Sequence, residues 1–174
     1  AFRDGFFRTG DLGSLDEQGR LTLHGRLKDI IVTSNGKSIV PTVWENAAAS
    51  SPLIAHAVMV GDNRPYVAAV LVMEPESIAS RAGSSVLERA STSGTGFEEI
   101  TDTELRAEVQ AAVDTANALV AHSEQVRRFA LVSADLADTT LMTPTMKIKR
   151  RVVLERGAPI VDHLYRQPAT THES

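Results

Sequence analysis

Cysteine is absent from the sequence, so disulfide bonds and thiolate metal sites are excluded within this chain. A lack of disulfide bonds is common in cytosolic proteins. Long apolar runs are absent too. None approaches the ~20 residues that a membrane-spanning helix needs, and the first residues do not read as a signal peptide. Positive charge is not in excess, since the net charge is -4. This balance argues against a dedicated nucleic-acid-binding protein.

Two frequent signatures of catalysis are also missing. No G-x-S-x-G segment occurs, so nothing supports a hydrolase with a serine nucleophile. The histidines lack the spacing of metal ligands, and we predict no metal site from them; they are His24, His56, His122, His163 and His172. No internal repeat is visible.

The apolar pattern predicts an α+β fold in which a small mixed β-sheet is packed with helices. Length and composition suit one domain with an appendage, at 174 residues and 43% hydrophobic residues. Alternating or continuous apolar runs predict strands over residues 20–24, 28–33, 38–40, 53–60, 66–73 and 129–133. The run YVAAVLVM at 66–73 is almost entirely apolar and is expected at the centre of the sheet. Asn35-Gly36 predicts a hairpin turn, because both residues tolerate positive φ.

Helices are predicted over residues 42–47, 76–81, 103–127 and 149–156, and from Pro159 onward. Trp44 in the first helix is expected in the core. The long helix has an apolar stripe that includes Leu119, and Thr101 with Glu104 has the spacing of a capping box. Residues 75–100 become rich in Ser, Thr and Gly after the short helix, which predicts a mobile surface insertion.

Two polar segments carry the chemistry. Gly10 allows a tight turn, so the Asp11 carboxylate can lie close to a ligand and accept two hydrogen bonds from a cis-diol. Lys147 follows a proline-containing turn and precedes further cations in the first turn of a predicted helix. Cations there oppose the helix dipole, which favours an anion-binding site over a purely stabilising choice. A solvated basic face is the alternative.

The segments FFRTGD (6–11), GRLKDIIVTSNGKSIVP (25–41) and TPTMKIKR (143–150) stand in this order along the chain. Together they resemble three consecutive motifs of the adenylate-forming enzymes: acyl-CoA synthetases, luciferases and peptide-synthetase adenylation domains. They are most similar to the long-chain fatty acyl-CoA synthetase branch, although Met146 stands where the general pattern has glycine. The resemblance implies a carboxy-terminal fragment of a much longer polypeptide, which fits a chain that begins with Ala1 rather than Met.

The resemblance implies roles for single residues. Lys147 would be the catalytic lysine, bridging the substrate carboxylate and the α-phosphate of ATP. Thr9, Asp11 and Arg26 would contact the nucleotide. Lys28 would be the hinge between the large and small domains. The loop that lines the CoA tunnel would comprise Asn35, Gly36 and Lys37, with the family glycine at Asn35 or Gly36.

The resemblance also implies the organisation and partners of the protein. Residues 1–27 would be the end of the amino-terminal adenylation domain, a β-hairpin remnant; 28–166 would be the mobile carboxy-terminal domain and 167–174 a disordered tail. The full-length enzyme would join a fatty acid to CoA with ATP and Mg2+, while the fragment alone would bind no cofactor and be inactive without the missing amino-terminal domain. A cytoplasmic location is expected, with peripheral contact at the inner membrane surface left open.

Two alternatives remain open from the sequence. The first is a stand-alone α+β binding or regulatory module that keeps the motifs without turnover. The second retains acyl adenylation but transfers the acyl group to a carrier-protein thiol or to oxygen.

Overall fold

The computed structural model describes residues 2–3, 6–81 and 96–166. The chain begins with three small antiparallel pairs, β1 with β2, β3 with β4 and β5 with β6. These strands are Phe2–Arg3, Phe6–Phe7, Asp11–Leu15, Leu21–Arg26, Ile31–Val32 and Ser38–Ile39. The predicted front hairpin is therefore confirmed. Asp16 closes its turn by accepting the N–H groups of Gln18 and Arg20, each at 2.9 Å.

The main sheet has four strands in the order β7-β8-β10-β9. They are β7 (Ile54–Val60), β8 (Ala68–Met73), β9 (Phe97–Ile100) and β10 (Phe129–Ala134). β8 and β10 run parallel, whereas β7 and β9 are antiparallel to their neighbours, so the sheet is mixed as predicted. β8 has a strand on each side, which confirms the central position expected for the run 66–73.

Helices cover both faces of this sheet, and this explains the continuous apolar runs. Successive residues of β8 point alternately into two separate cores: Leu71 faces one and Val70 the other. The described residues form the helices α1 (Thr42–Ala48), α2 (Pro75–Arg81), α3 (Thr103–Asn117), α4 (Arg150–Arg156) and α5 (Ala158–Arg166). The first core packs α1, α2 and α3 on one face, and the second packs α4 and α5 on the other. Trp44 is fully buried in the first core, as predicted.

The long helix α3 is shorter than the pattern predicted. It ends at Asn117 rather than near residue 127, because the Asn117 side chain binds the backbone of Val126 through both its amide oxygen and its nitrogen. Leu119 consequently leaves the apolar stripe and is 62% exposed. The predicted capping box is also wrong. Asp102 is the N-cap, and its carboxylate accepts the Leu105 N–H at 2.7 Å.

Two strand predictions need correction. The strand Phe97–Ile100 was missed inside the predicted insertion, because it is short and carries two glutamates, a residue type depleted in strands. The strand expected over 28–33 is only Ile31–Val32, preceded by a 3-10 turn at Leu27–Asp29. The rest of the expected insertion, 82–95, and the expected disordered tail, 167–174, lie outside the described residues.

The front hairpin β3–β4 is not half-buried as its alternation predicted. Leu15, Leu21 and Leu23 are 70%, 63% and 65% exposed, although they lie on adjoining positions of the two strands. Contact with the rest of the chain occurs at its other end, where Gly25 lies against Val40 and Thr42. Nothing in the described part of the chain covers the leucine face.

Candidate functional site

A cleft lies where the front hairpin meets the rest of the chain. Its volume is about 340 Å3, and it is lined by Thr9, Gly10, Arg26, Leu27 and Lys28. The turn at Gly10 forms one side of the cleft. Gly10 has φ +79, and its carbonyl accepts the Leu27 N–H at 2.8 Å. A Cβ at Gly10 would meet no atom within 4 Å, so this residue is needed for its left-handed backbone rather than for space.

Arg26 lines this cleft and pairs with Asp11. They are directly paired in the register of β3 and β4, and the Arg26 Nε lies 3.5 Å from the Asp11 Oδ1. Asp11 is oriented further by its own N–H, which donates to Thr9 Oγ1 at 3.2 Å. The Asp11 side chain is 34% exposed and that of Arg26 61% exposed, so both remain accessible to a ligand. The structure thus brings together Thr9, Asp11 and Arg26.

Lys28 joins the same cleft from the 3-10 turn Leu27–Asp29. This turn contains no buried residue and separates the front hairpin from the first core residue, Ile31. A change in φ and ψ here would break no side-chain packing of the turn itself.

The loop between β5 and β6 contains Asn35, Gly36 and Lys37. Only Gly36 of the predicted Asn-Gly pair takes positive φ, at +80, and its N–H donates to the Thr33 carbonyl at 2.9 Å. The loop is therefore longer than a two-residue turn. Lys37 Nζ lies 3.5 Å from Glu124 Oε1.

A second loop supports this one from the side. Ser34 donates its N–H to the Arg64 carbonyl at 2.9 Å, and Asn63 donates its N–H to the Val32 carbonyl at 2.8 Å. Asp62 Oδ1 also accepts the Val32 N–H at 3.1 Å. The loop 61–65 thus fixes where the Asn35-Gly36 turn lies.

Lys147 lies at the end of a tight turn. It is far from the cleft residues along the sequence. Its N–H donates to Thr143 Oγ1 at 3.0 Å, and its carbonyl accepts the Thr143 N–H at 2.8 Å. Met146, just before it, has φ 57, the left-handed region that favours glycine. No residue in the described ranges forms a hydrogen bond or ion pair with the Lys147 ammonium group, which is exposed.

The cations after Lys147 do not form a shared anion site with it. Lys149 Nζ donates to the Thr139 carbonyl at 2.9 Å, and Arg151 pairs with Glu155 at 2.7 Å. Arg150 binds the Glu45 carboxylate and donates to the Met59 carbonyl at 2.5 Å. Burial raises the pKa of Glu45 above its ordinary value, against the opposing charge of Arg150. No local sequence pattern pointed to Glu45, because its partner Arg150 lies 105 residues further along the chain.

The described residues offer neither a metal-binding cluster nor a membrane-spanning helix. They contain no group of three or more histidine, aspartate or glutamate side chains that could hold a metal ion. Among them, no helix is long and apolar enough to cross a membrane.

Residues 28–93 match the family model described as the AMP-binding enzyme C-terminal domain. The chain is also 43% identical, over 173 residues, to the long-chain-fatty-acid–CoA ligase FadD15 of Mycobacterium tuberculosis. Residues 28–93 belong to the AMP-binding enzyme C-terminal domain family. The resemblance based on the three motifs is thereby confirmed. The long-chain-fatty-acid–CoA ligase ACSBG2 of Gallus gallus is a further relative, at 28% identity over 189 residues.

The chain spans about a quarter of the length of these curated relatives. It covers 27% of FadD15, whereas 95% of the chain is matched. For ACSBG2 the corresponding shares are 25% and 98%.

Solved structures support the fold independently. The adenylation domain of a carboxylate reductase from Mycobacterium chelonae matches with a TM-score of 0.70 and 23% identity, covering 95% of this chain and 24% of that one. The adenylation and carrier didomain of the Segniliparus rugosus carboxylic acid reductase, solved in complex with AMP, matches with a TM-score of 0.68 and 23% identity, covering 95% of this chain and 21% of that one. The α+β architecture is therefore that of adenylation-domain C-terminal regions.

Proposed function

We propose that this chain is the carboxy-terminal part of an ATP-dependent long-chain fatty acid–CoA ligase. The reaction converts fatty acid, ATP and CoA into acyl-CoA, AMP and pyrophosphate. The observation that carries the proposal is the convergence of Thr9, Arg26 and Lys28 on one cleft, together with the pairing of Asp11 with Arg26. The 43% identity to FadD15 over nearly the whole chain supports the same substrate class.

In the first half-reaction, a carboxylate oxygen of the fatty acid attacks the α-phosphorus of ATP, and pyrophosphate leaves. Two anions must approach each other, and Lys147 would neutralise both and stabilise the charge of the transition state. Among the described residues no contact of its ammonium group would have to be broken first, which supports this role. Asp11 would accept hydrogen bonds from the ribose hydroxyls, Thr9 would line the nucleotide side, and Arg26 would donate to ribose or phosphate.

In the second half-reaction, the CoA sulfur attacks the acyl carbonyl and AMP leaves. We propose that residues 28–166 rotate about Lys28 relative to residues 1–27 and the preceding domain. This would withdraw Lys147 and present the loop of Asn35, Gly36 and Lys37 to the pantetheine arm. The left-handed backbone of Gly36 supports its choice over Asn35 as the glycine of this loop.

The ligands follow from this proposal. ATP and CoA would bind between this chain and the amino-terminal domain, so this chain alone would not form acyl-CoA. The described residues contain no cluster of acidic ligands for Mg2+. We propose that the ATP phosphates hold this ion together with groups outside these residues. A cytoplasmic location belongs to the same proposal, since ATP and CoA are available there, and the acyl substrate would bring the enzyme to the inner membrane surface.

The proposal is tested by Lys147→Ala in the full-length protein, with the half-reactions measured separately. Pyrophosphate exchange should fall by about 10²–10³-fold, as for the loss of one group that stabilises transition-state charge. Single-turnover thioester formation from preformed acyl-adenylate should be unchanged. Arg151→Ala is the control, because Arg151 pairs with Glu155 on the same exposed helix surface and, within the described ranges, with no other residue.

Three outcomes would contradict this assignment. Two concern Lys147→Ala: equal slowing of both half-reactions, and slowing of neither. The third is formation of acyl-CoA by the 174-residue chain above the level of a heat-killed control. A stand-alone binding module predicts no turnover even for the full-length protein. Transfer to a carrier-protein thiol predicts normal pyrophosphate exchange without acyl-CoA formation.

A further inference from the structure

A shielded ion pair joins helix α1 to helix α4. The Arg150 Nη2 donates to the Glu45 Oε1, and the side chains of Arg150 and Glu45 are only 22% and 17% exposed. Both groups also bind one residue of β7. Met59 donates its N–H to Glu45 Oε1 at 2.7 Å, and its carbonyl accepts from Arg150 Nη1 at 2.5 Å. The carboxylate and the guanidinium therefore bracket a single backbone position.

This backbone position lies on the edge of the main sheet. β7 is an edge strand of this sheet, so its backbone groups that point away from β8 have no strand partner in the described part of the chain. Such groups need other hydrogen bonds when they are shielded from water. Glu45 and Arg150 supply one each, and they lock α1 and α4 to the same point of the sheet.

The same anchor lies at one end of the turn that carries Lys147. Between the two residues, Ile148 forms a bridge with Met142, and Lys149 donates its N–H to the Leu141 carbonyl at 2.8 Å. The chain then enters α4 at Arg150. A shift of Arg150 would therefore be transmitted to Lys147 through one short, hydrogen-bonded segment.

Stability alone does not account for this arrangement. A cation at the first residue of a helix opposes the helix dipole. A shielded ion pair is frequently no more stabilising than apolar residues of the same volume, because both charges must leave water. The pair does, however, hold three elements in one geometry, which a single apolar contact does not specify.

We propose that the Glu45–Arg150 pair positions Lys147 for acyl-adenylate formation, by fixing the Lys147 turn to the sheet edge at Met59. Neither residue needs to touch a substrate. The inference rests on the proposed role of Lys147, and its tests separate the two.

The first test does not depend on activity. Because the chain contains no cysteine, Lys147→Cys provides a single attachment site for a nitroxide label. Arg150→Lys keeps the charge but cannot bind Glu45 and Met59 with the same fork, and Glu45→Gln removes the charge with little change of shape. Both should shift the spectrum of the label towards faster motion. Arg151→Lys, one residue further along α4, is the matched control and should leave the spectrum unchanged.

The second test uses the full-length protein and separated half-reactions. Misplacement of a reacting group by about 1 Å costs as much as 10²-fold, so Arg150→Lys should lower kcat of pyrophosphate exchange by about 10- to 100-fold. KM for ATP and thioester formation from preformed adenylate should stay near the wild-type values. A merely structural role predicts a smaller folded fraction, and hence an equal loss in both half-reactions.

The outcomes distinguish the inference from the proposed function. If Lys147→Ala slows pyrophosphate exchange but Arg150→Lys and Glu45→Gln behave like Arg151→Lys, the positioning role is wrong and the proposed function stands. If Lys147→Ala leaves pyrophosphate exchange unchanged, the proposed function fails first. An unchanged label spectrum in both Arg150→Lys and Glu45→Gln overturns the inference by itself.

Discussion

Trp44 donates a hydrogen bond from its indole Nε1 to the Oδ1 of Asn117, 2.8 Å away. The same oxygen accepts the Val126 N–H at 2.9 Å, and the Asn117 Nδ2 donates to the Val126 carbonyl at 3.0 Å. One amide thus ends α3, satisfies the backbone of the chain that returns to β10, and holds α1 against α3. Glu45 is the next residue in α1, so this contact also underlies the geometry of the proposed positioning pair.

Asn117→Ala should destabilise the protein by about 1–3 kcal/mol, because shielded polar groups of Trp44 and Val126 lose their partner. The free energy of unfolding in urea measures this change. Gln110→Ala is the control, since the Gln110 side chain donates to Asp114 on the exposed face of the same helix. Equal stability of the two variants would contradict the interpretation.

Met146→Gly should stabilise the protein by roughly 0.5–1 kcal/mol. A non-glycine residue in left-handed backbone is strained by about 1–2 kcal/mol, and part of the relief is lost to the greater freedom of glycine in the unfolded chain. Little burial is lost, because the Met146 side chain is 65% exposed. Met146→Ala keeps the strain and should show no gain. A gain of the same size from both substitutions, measured by urea unfolding, would disprove a backbone cause.

Asp138 should make the folded state sensitive to acid. Hydrogen bonds from the Thr140 hydroxyl and the Arg156 guanidinium hold the pKa of Asp138 well below its ordinary value. A lowered pKa in the folded state contributes stability above the unfolded pKa, and this contribution is lost as pH falls from about 4. Asp138→Asn should therefore lower stability at pH 7 and flatten its decline between about pH 5 and 2.

Urea unfolding across this pH range checks the Asp138 prediction. Thr140→Val removes the hydroxyl that donates to Asp138 and accepts from Arg156, whereas the Thr140 N–H and the Arg156 guanidinium can still donate to Asp138. This variant should therefore flatten the decline only in part. A profile for Asp138→Asn that stays parallel to the wild type would exclude Asp138 as the source.

Lys28→Pro should impair the full-length enzyme unequally in its two half-reactions. Proline holds φ near −65°, and it also restricts the backbone of Leu27 before it, so one orientation about the proposed hinge becomes disfavoured. Pyrophosphate exchange and single-turnover thioester formation measure the two halves. Lys28→Ala keeps the backbone flexible and should affect both much less. Equal losses in both halves for Lys28→Pro would argue against a hinge at this residue.

The elements with strong local patterns could be predicted from the sequence. The run 66–73 is apolar at nearly every position, and only a strand covered on both faces buries every side chain of this kind. The motifs at 6–11, 25–41 and 143–150 indicated the family, because their residues and order are specific together. Prediction failed where the local pattern was weak, as at Phe97–Ile100, or continued past the true boundary, as at Leu119.

The sequence by itself determined the α+β class, the family and the identity of Thr9, Asp11, Arg26, Lys28 and Lys147 as candidate site residues. Only the tertiary structure decided which residues meet. Asn117 binds Trp44, and Glu45 binds Arg150, which lies 105 residues further along the chain. Periodicity reports which face of an element is apolar, but not which element will cover it. The partner of a polar side chain depends on how the elements pack, and that packing is settled by the whole chain at once.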